Sequence, residues 1–372
     1  MVQYTDLDLH ERILLGPGPS MVPPRVLRAI AHPPVGHLDP DFIALMNEVQ
    51  ELLRYVFQTE NRLTFPVSGT GSAGMEAALC NFIEPGDSVL VGVNGYFSER
   101  IYEMATRYGA EVRRLENPWG KVFELEDLEK ALQEKPAKVV AVTHVETSTG
   151  TCQPVEGIAD IVHRYGGIFV LDCVASLGGV PVTVDAWGVD VAHSATQKCL
   201  SCPPGLAPIT VSPRALEVLR YRKTKVANWY LDLSSIEKYW GNERTYHHTA
   251  PVSMNYALRE ALRLIHEEGI EERCARHRAN AKMLWQGLEA MGLQPVVPVE
   301  YRPPSLTTVW IPDGVDDISI RQRLLQEYNI AIAGGLGDFK GRVWRIGLMG
   351  YSSRPENVLL LLGALERLLS AM

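Results

Sequence analysis

A chain of 372 residues, 46% hydrophobic and 22% charged, is longer than one ordinary domain and holds apolar material for a sizeable core without disulfides or metals. Its formal net charge of −8, with no block of five or more basic residues, argues against nucleic acid or an anionic membrane as partner. No apolar run approaches the roughly 18 residues that cross a bilayer, and the opening Met1-Val2-Gln3-Tyr4-Thr5-Asp6 lacks the features of a secretory leader, so the expectation is a cytoplasmic protein.

In chain order, Gly16-Pro17-Gly18-Pro19-Ser20 is a stiff turn-rich segment, incompatible with helix or central strand. After Asp39-Pro40 the recurrence of Phe42, Leu45, Met46, Val49, Leu52, Leu53 and Val56 predicts an amphipathic helix. Short apolar runs at 63–67, 88–93, 111–115, 137–143, 167–172 and 189–194 then read as strands. Helical patterns at 73–82, 98–108, 125–133 and 155–165 lie between most of them. Alternating βα units predict an α/β fold with a mostly parallel sheet covered on both faces, whose ligands bind beyond the carboxyl ends of the strands.

The pattern changes after about residue 255. Two helices at 254–268 and 271–291, a Pro-rich linker, strands at 306–311, 330–333 and 343–348, a helix at 318–328 and a closing helix from Pro355 predict a smaller α+β unit. The expected organisation is an N-terminal arm (1–20), a large domain (21–267) and a small C-terminal domain (268–372).

Four features bear on chemistry. Ser68-Gly69-Thr70-Gly71-Ser72-Ala73-Gly74 follows a strand and opens a helix, where small residues and free N–H groups suit a phosphate; a tight structural turn is the competing reading. Asp172 ends an apolar strand, where a carboxylate wants a cationic partner such as a protonated pyridine nitrogen, or caps the following loop. Lys198 sits among small and apolar residues, a setting that lowers an amine's pKa and makes it a nucleophile toward aldehydes. Arg345 interrupts an apolar strand and offers its planar fork to a substrate carboxylate or to a structural ion pair. Six cysteines at irregular spacing fit reduced thiols, and the Cys199/Cys202 C-x-x-C, lacking a second pair, reads as packing. His247 and His248 lack a third ligand at metal-binding spacing and read, like the aromatic stretch Trp229, Tyr230, Tyr239 and Trp240, as packing or interface.

Taken together, Gly16-Pro17-Gly18-Pro19-Ser20, Tyr55-Val56-Phe57-Gln58-Thr59, Glu76-Ala77-Ala78-Leu79, Glu84-Pro85-Gly86-Asp87, the run from Asp172 to Gly179, Gln197-Lys198, Tyr246-His247-His248-Thr249, Gly334-Gly335-Leu336-Gly337 and the run from Trp344 to Leu348 span nearly the whole chain. On these motifs the chain resembles the class V, fold-type I pyridoxal-phosphate aminotransferases, above all the alanine–glyoxylate / serine–pyruvate group. The resemblance implies pyridoxal 5′-phosphate as cofactor, held as a Schiff base on Lys198 with Asp172 at its ring nitrogen. It implies Thr70, Gly71, Ser72 and Gln197 in a phosphate cup, Phe97 and Val174 on the two ring faces, and Thr147 near the phenolic oxygen. Phe97 departs from the family pattern, which has Trp there, and Thr147 replaces a Ser. Tyr246 and Thr249 match residues lent to the neighbouring subunit's phosphate, implying a homodimer with shared active sites. Arg345 and Gly18 match positions of the substrate site.

The implied reaction is a ping-pong transamination from alanine or serine to glyoxylate or pyruvate. Ureidoglycine–glyoxylate, aspartate–glyoxylate and 2-aminoethylphosphonate activities are the alternatives. A cysteine desulfurase-like lyase fits less well, because Gln197 stands where those enzymes carry a His.

Overall fold

The computed structural model describes residues 6–370. Its centre is a seven-stranded sheet built from β1 (Leu63–Ser68), β2 (Ser88–Val93), β3 (Glu111–Glu116), β4 (Val139–Thr143), β5 (Ile168–Asp172), β6 (Val191–His193) and β7 (Leu206–Val211). The spatial order is β1-β7-β6-β5-β4-β2-β3. All neighbours are parallel except β7, which runs antiparallel to both β1 and β6. Alternation within a strand divides the core between the two faces: Val89, Val91 and Val93 join one cluster and Leu90 the other. The crossovers between parallel strands are helical, among them Gly71–Cys80, Tyr96–Arg107, Leu125–Glu134 and Ile158–Arg164.

β7 is an addition to the strands expected from sequence, and it holds a proline, a residue rare in central strands. In the sheet Pro208 lies opposite Pro66 of β1 in a pair that exchanges no hydrogen bonds, and its backbone faces β6, where its carbonyl accepts from the Ser194 N–H at 2.8 Å. Helices Pro24–Ile30, Pro213–Arg220 and Leu233–Trp240 are also additions. Tyr239 and Trp240 of the last are buried, while Trp229 and Tyr230 before it are exposed. The helix expected after Asp39 runs Pro40–Phe57, with Pro40 in its first turn and the Asp39 carboxylate accepting from the Asp41 N–H at 2.9 Å.

Two long helices, Val252–Glu268 and Ile270–Ala290, meet at Gly269, whose φ of +85° breaks the run. Glu268 spans the break by pairing with Arg273 and Arg276. Beyond it, strands Leu306–Trp310, Val343–Gly347 and Ala333–Gly334 form an antiparallel sheet in that order. Helices Asp317–Tyr328 and Pro355–Ser370 contribute buried side chains to the cluster that covers it. The single strand expected at 330–333 is split in two, because Ile330–Ala331 pairs with Ile13–Leu14 in parallel instead. Residues 13–15 are therefore docked: Leu15 is fully buried, donates to Ala331 and accepts from Gly347. The turn-rich segment after them is delivered to the carboxyl ends of β5 and β6.

Candidate active site

The helix Gly71–Cys80 follows β1 and points its N-terminus into a cleft. Thr70 is its N-cap but makes no side-chain cap bond, and among the described residues nothing accepts from the Gly71 and Ser72 N–H groups. Those amides, with the helix dipole behind them, form a seat for an anion. A Cβ on Gly71 would lie 2.7 Å from the Ala195 Cβ, so a larger residue would push the helix end off the loop that carries the lysine. The structure thus gives the glycine motif both a packing role and an anion-binding surface.

Asp172 is the last residue of β5 and only 4% exposed. One of its oxygens accepts from the Val174 N–H at 2.8 Å, so it caps the following loop while it also lines the cleft. Lys198 lies in the loop after β6, 9% exposed, its ammonium reaching the Pro17 carbonyl and its own carbonyl accepting from the Ser20 hydroxyl at 2.7 Å. Burial pushes its pKa down to about 8. Gly18, at φ +105°, packs directly on this chain: a Cβ there would meet Lys198 Cδ at 2.6 Å.

Arg345 is 6% exposed in the strand Val343–Gly347. Nε donates to the Gly334 carbonyl at 2.8 Å and Nη1 to the Thr147 carbonyl at 3.1 Å. No carboxylate pairs with it among the described residues, so the structural ion pair weighed from sequence is not formed. Burial lowers its pKa to about 10, opposed by the charge of Glu146, and the guanidinium stays cationic at neutral pH.

The cleft gathers Thr70, Gly71, Ser72, Phe97, Thr147, Asp172, Val174, Gln197 and Lys198. Tyr246 and Thr249 do not line it; both are exposed, and Tyr246 packs on His37 with ring centroids 5.2 Å apart. His248 Nε2 meets the Ser68 hydroxyl at 2.7 Å, and no group of three or more metal-ligating side chains occurs among the described residues. All six cysteines are free thiols.

Two side chains, Arg100 lining the cleft and Glu146 behind it, escaped the sequence reading. Arg100 lies one turn after Phe97 and stacks over its ring at 4.9 Å; the i, i+3 spacing was the available signal. Glu146, a buried acid beneath the same helix end, carried no distinctive local signal, because the Phe97 and Ser98 donors come from another segment.

The donor set fits pyridoxal phosphate. Free helix amides and the hydroxyls of Thr70 and Ser72 suit the phosphate, Asp172 a cationic ring nitrogen, and the Lys198 amine an aldehyde. The buried Gln197 amide oxygen has no partner, and turned end for end that amide presents N–H donors to an anion. A mostly parallel sheet with this acid and amine at its carboxyl edge is the architecture of the pyridoxal-phosphate-dependent transaminases.

Comparison with known proteins narrows the class. The family model for class V aminotransferases matches residues 12–341, and the chain belongs to that family. An alanine–glyoxylate aminotransferase from Nostoc sp. superposes with a TM-score of 0.98 at 55% identity, covering 99% of this chain and 98% of that one. A ureidoglycine–glyoxylate aminotransferase from Bacillus subtilis gives a TM-score of 0.97 at 44% identity, covering 99% and 95%. In sequence, the alanine–glyoxylate aminotransferase of Rattus norvegicus is 42% identical over 355 residues, 94% of this chain and 86% of the relative. Among the described residues no helix is long and apolar enough to cross a membrane.

Proposed function

We propose that the chain binds pyridoxal 5′-phosphate on Lys198 and moves an amino group from alanine or serine to glyoxylate or pyruvate by a ping-pong mechanism. The observation that carries this reading is one cleft holding the buried Lys198 amine, the Asp172 carboxylate and an uncapped helix N-terminus. Pyridoxal phosphate, when bound, supplies an aldehyde that condenses with amines and a ring that takes up negative charge from a substrate carbon.

The protein's own groups do the rest. The Gly71 and Ser72 amides, Thr70 and Gln197 anchor the phosphate, with Tyr246 and Thr249 of a second copy completing the seat in a homodimer. Asp172 holds a proton on the ring nitrogen through its negative charge. Phe97 and Val174 fix the ring plane, and the Thr147 hydroxyl serves the phenolic oxygen. Lys198 Nζ, once displaced by a substrate amine, takes the proton from the substrate Cα as a base and returns it as an acid. A pKa near 8 suits both directions close to neutral pH. Arg345, with two N–H groups tied to carbonyls and no acid paired to it, offers its remaining donors to one substrate carboxylate. One such arginine favours small monocarboxylic substrates.

Ureidoglycine as donor is a second reading, supported by the 43% identity to the (S)-ureidoglycine–glyoxylate transaminase of Bacillus subtilis. Glyoxylate is common to the names of both sets of relatives and is the better-supported acceptor. The test mixes the loaded protein with single amino acids, follows bleaching of the cofactor absorbance, and restores it with single oxo acids. Alanine or serine that bleaches, with glyoxylate restoring, supports the reading. Borohydride reduction that leaves position 198 unlabelled removes it.

A further inference from the structure

Glu146 is a buried carboxylate that the reaction scheme above does not use. It lies in the two-residue strand Val145–Glu146, one residue before Thr147, and is 1% exposed. Four donors converge on it. Oε2 accepts from the Phe97 and Ser98 N–H groups, each at 3.0 Å, while the Ser98 hydroxyl, 3.3 Å from it, lies nearer the Gly95 carbonyl at 3.0 Å. Oε1 accepts from the Ser148 N–H at 3.0 Å and its hydroxyl at 2.7 Å. Three of these are backbone N–H groups, which cannot accept, so the arrangement is built for the ionised form although burial pushes the carboxyl's pKa up.

The packing around this acid leaves no slack. A Cβ on Gly95 would lie 2.3 Å from Glu146 Cγ and 2.6 Å from the Ser148 hydroxyl oxygen. The carboxylate thus occupies the N-terminus of the helix Tyr96–Arg107, where its charge meets the helix dipole. Phe97, which lines the cleft with Lys198, sits on the backbone that it grips. The residue after it, Thr147, lines the same cleft and accepts from Arg345.

We propose that Glu146 is a positioning residue: its ionised carboxylate locks the first turn of the Phe97 helix to the Thr147 loop and so fixes the aromatic wall of the cofactor site. The inference rests on the proposed pyridoxal-phosphate reading only for its consequences in the loaded enzyme; the lock itself belongs to the protein.

The first test uses the protein without cofactor. Glu146→Gln keeps the shape, but its NH2 group must face donors on one side. Hydrogen exchange at the Phe97 and Ser98 amides should rise at least tenfold, with the exchange of β4 and β5 unchanged. Unchanged exchange at Phe97 and Ser98 overturns the proposal.

In the loaded protein, Glu146→Gln should release cofactor at least tenfold faster, alter the visible circular dichroism of the bound chromophore, and lower kcat more than it changes KM. These losses should nearly vanish in a Phe97→Ala background, because the acid acts through that ring. Full additivity of the two substitutions overturns the proposal, since a general structural role is indifferent to Phe97. If Glu146→Gln does not fold, Ser148→Ala should show the same exchange and release changes at two- to fivefold, and their absence counts equally against it. Failure of the parent protein to transaminate refutes the functional reading instead; the exchange rates at Phe97 and Ser98 then decide by themselves whether the lock exists.

Discussion

Replacing Lys198 by Met in the cofactor-free protein converts the buried amine into a measurable pH dependence of stability. Burial lowers the folded-state pKa of Lys198 to about 8, whereas an unfolded lysine titrates near 10.4. Between those values the unfolded chain binds a proton that the folded chain does not, so this lysine makes stability rise with pH across the window and level off below about 8. A gap of roughly two pH units corresponds to about 3 kcal/mol. Urea unfolding of parent and Lys198→Met, compared from pH 7 to 10.5, should therefore show a difference that shifts by about 3 kcal/mol in favour of the parent as pH rises. Tyrosines and other lysines titrate in the same range, but they are common to both proteins and cancel. A difference independent of pH would mean that the amine is solvated in the folded state, and the account of its nucleophilicity would fail. The same experiment predicts that capture of pyridoxal phosphate by the parent accelerates with pH up to about 8 and flattens above it.

Gly18→Ala should lower the yield of borohydride-trapped cofactor and cost about 1–2 kcal/mol of stability, because φ of +105° disfavours a side chain and the new Cβ meets Lys198 Cδ at 2.6 Å. A melting temperature and trapping yield equal to the parent's would count against that contact. Arg345→Lys removes the planar fork and at least one of the bonds to Gly334 and Thr147; KM for amino donors should rise about 10- to 100-fold with the cofactor spectrum preserved. His277 is fully buried, its Nδ1 bonded to the Arg273 carbonyl at 2.7 Å and its Nε2 accepting from the Gly350 N–H at 2.9 Å. Burial pushes its pKa to about 3, so its contribution is lost as pH falls from about 6.5 toward 3. His277→Gln should shrink the parent's stability loss between pH 7 and 5 by about 2 kcal/mol, read from urea midpoints at the two pH values.

The class of fold was legible in the residues themselves, as were Asp172, Lys198 and the glycine motif as candidates. Short continuous apolar runs spaced by helical patterns allow few arrangements other than a mostly parallel sheet. An acid closing a buried strand and a lysine among small residues are costly unless partnered, which marks Asp172 and Lys198 without coordinates. The glycine motif before a helix carries its own backbone reason.

Tertiary structure decided what depends on segments distant in the chain. No strand is expected from sequence at 206–211, yet Pro208 lies inside the sheet, its backbone facing β6, where its carbonyl accepts from the Ser194 N–H. Ile13–Leu14 contains no sign of a partner 317 residues away, which the register with Ile330 supplies. Glu146 reads locally as one more acid; only the fold brings the Phe97 and Ser98 amides to it and leaves Gly95 no room for a side chain. Whether Arg345 meets an acid or stays free for a ligand was likewise undecidable from its strand alone. Local sequence sets the conformations and intrinsic charges of a segment, whereas hydrogen-bond satisfaction and desolvation depend on neighbours that only the folded chain assembles.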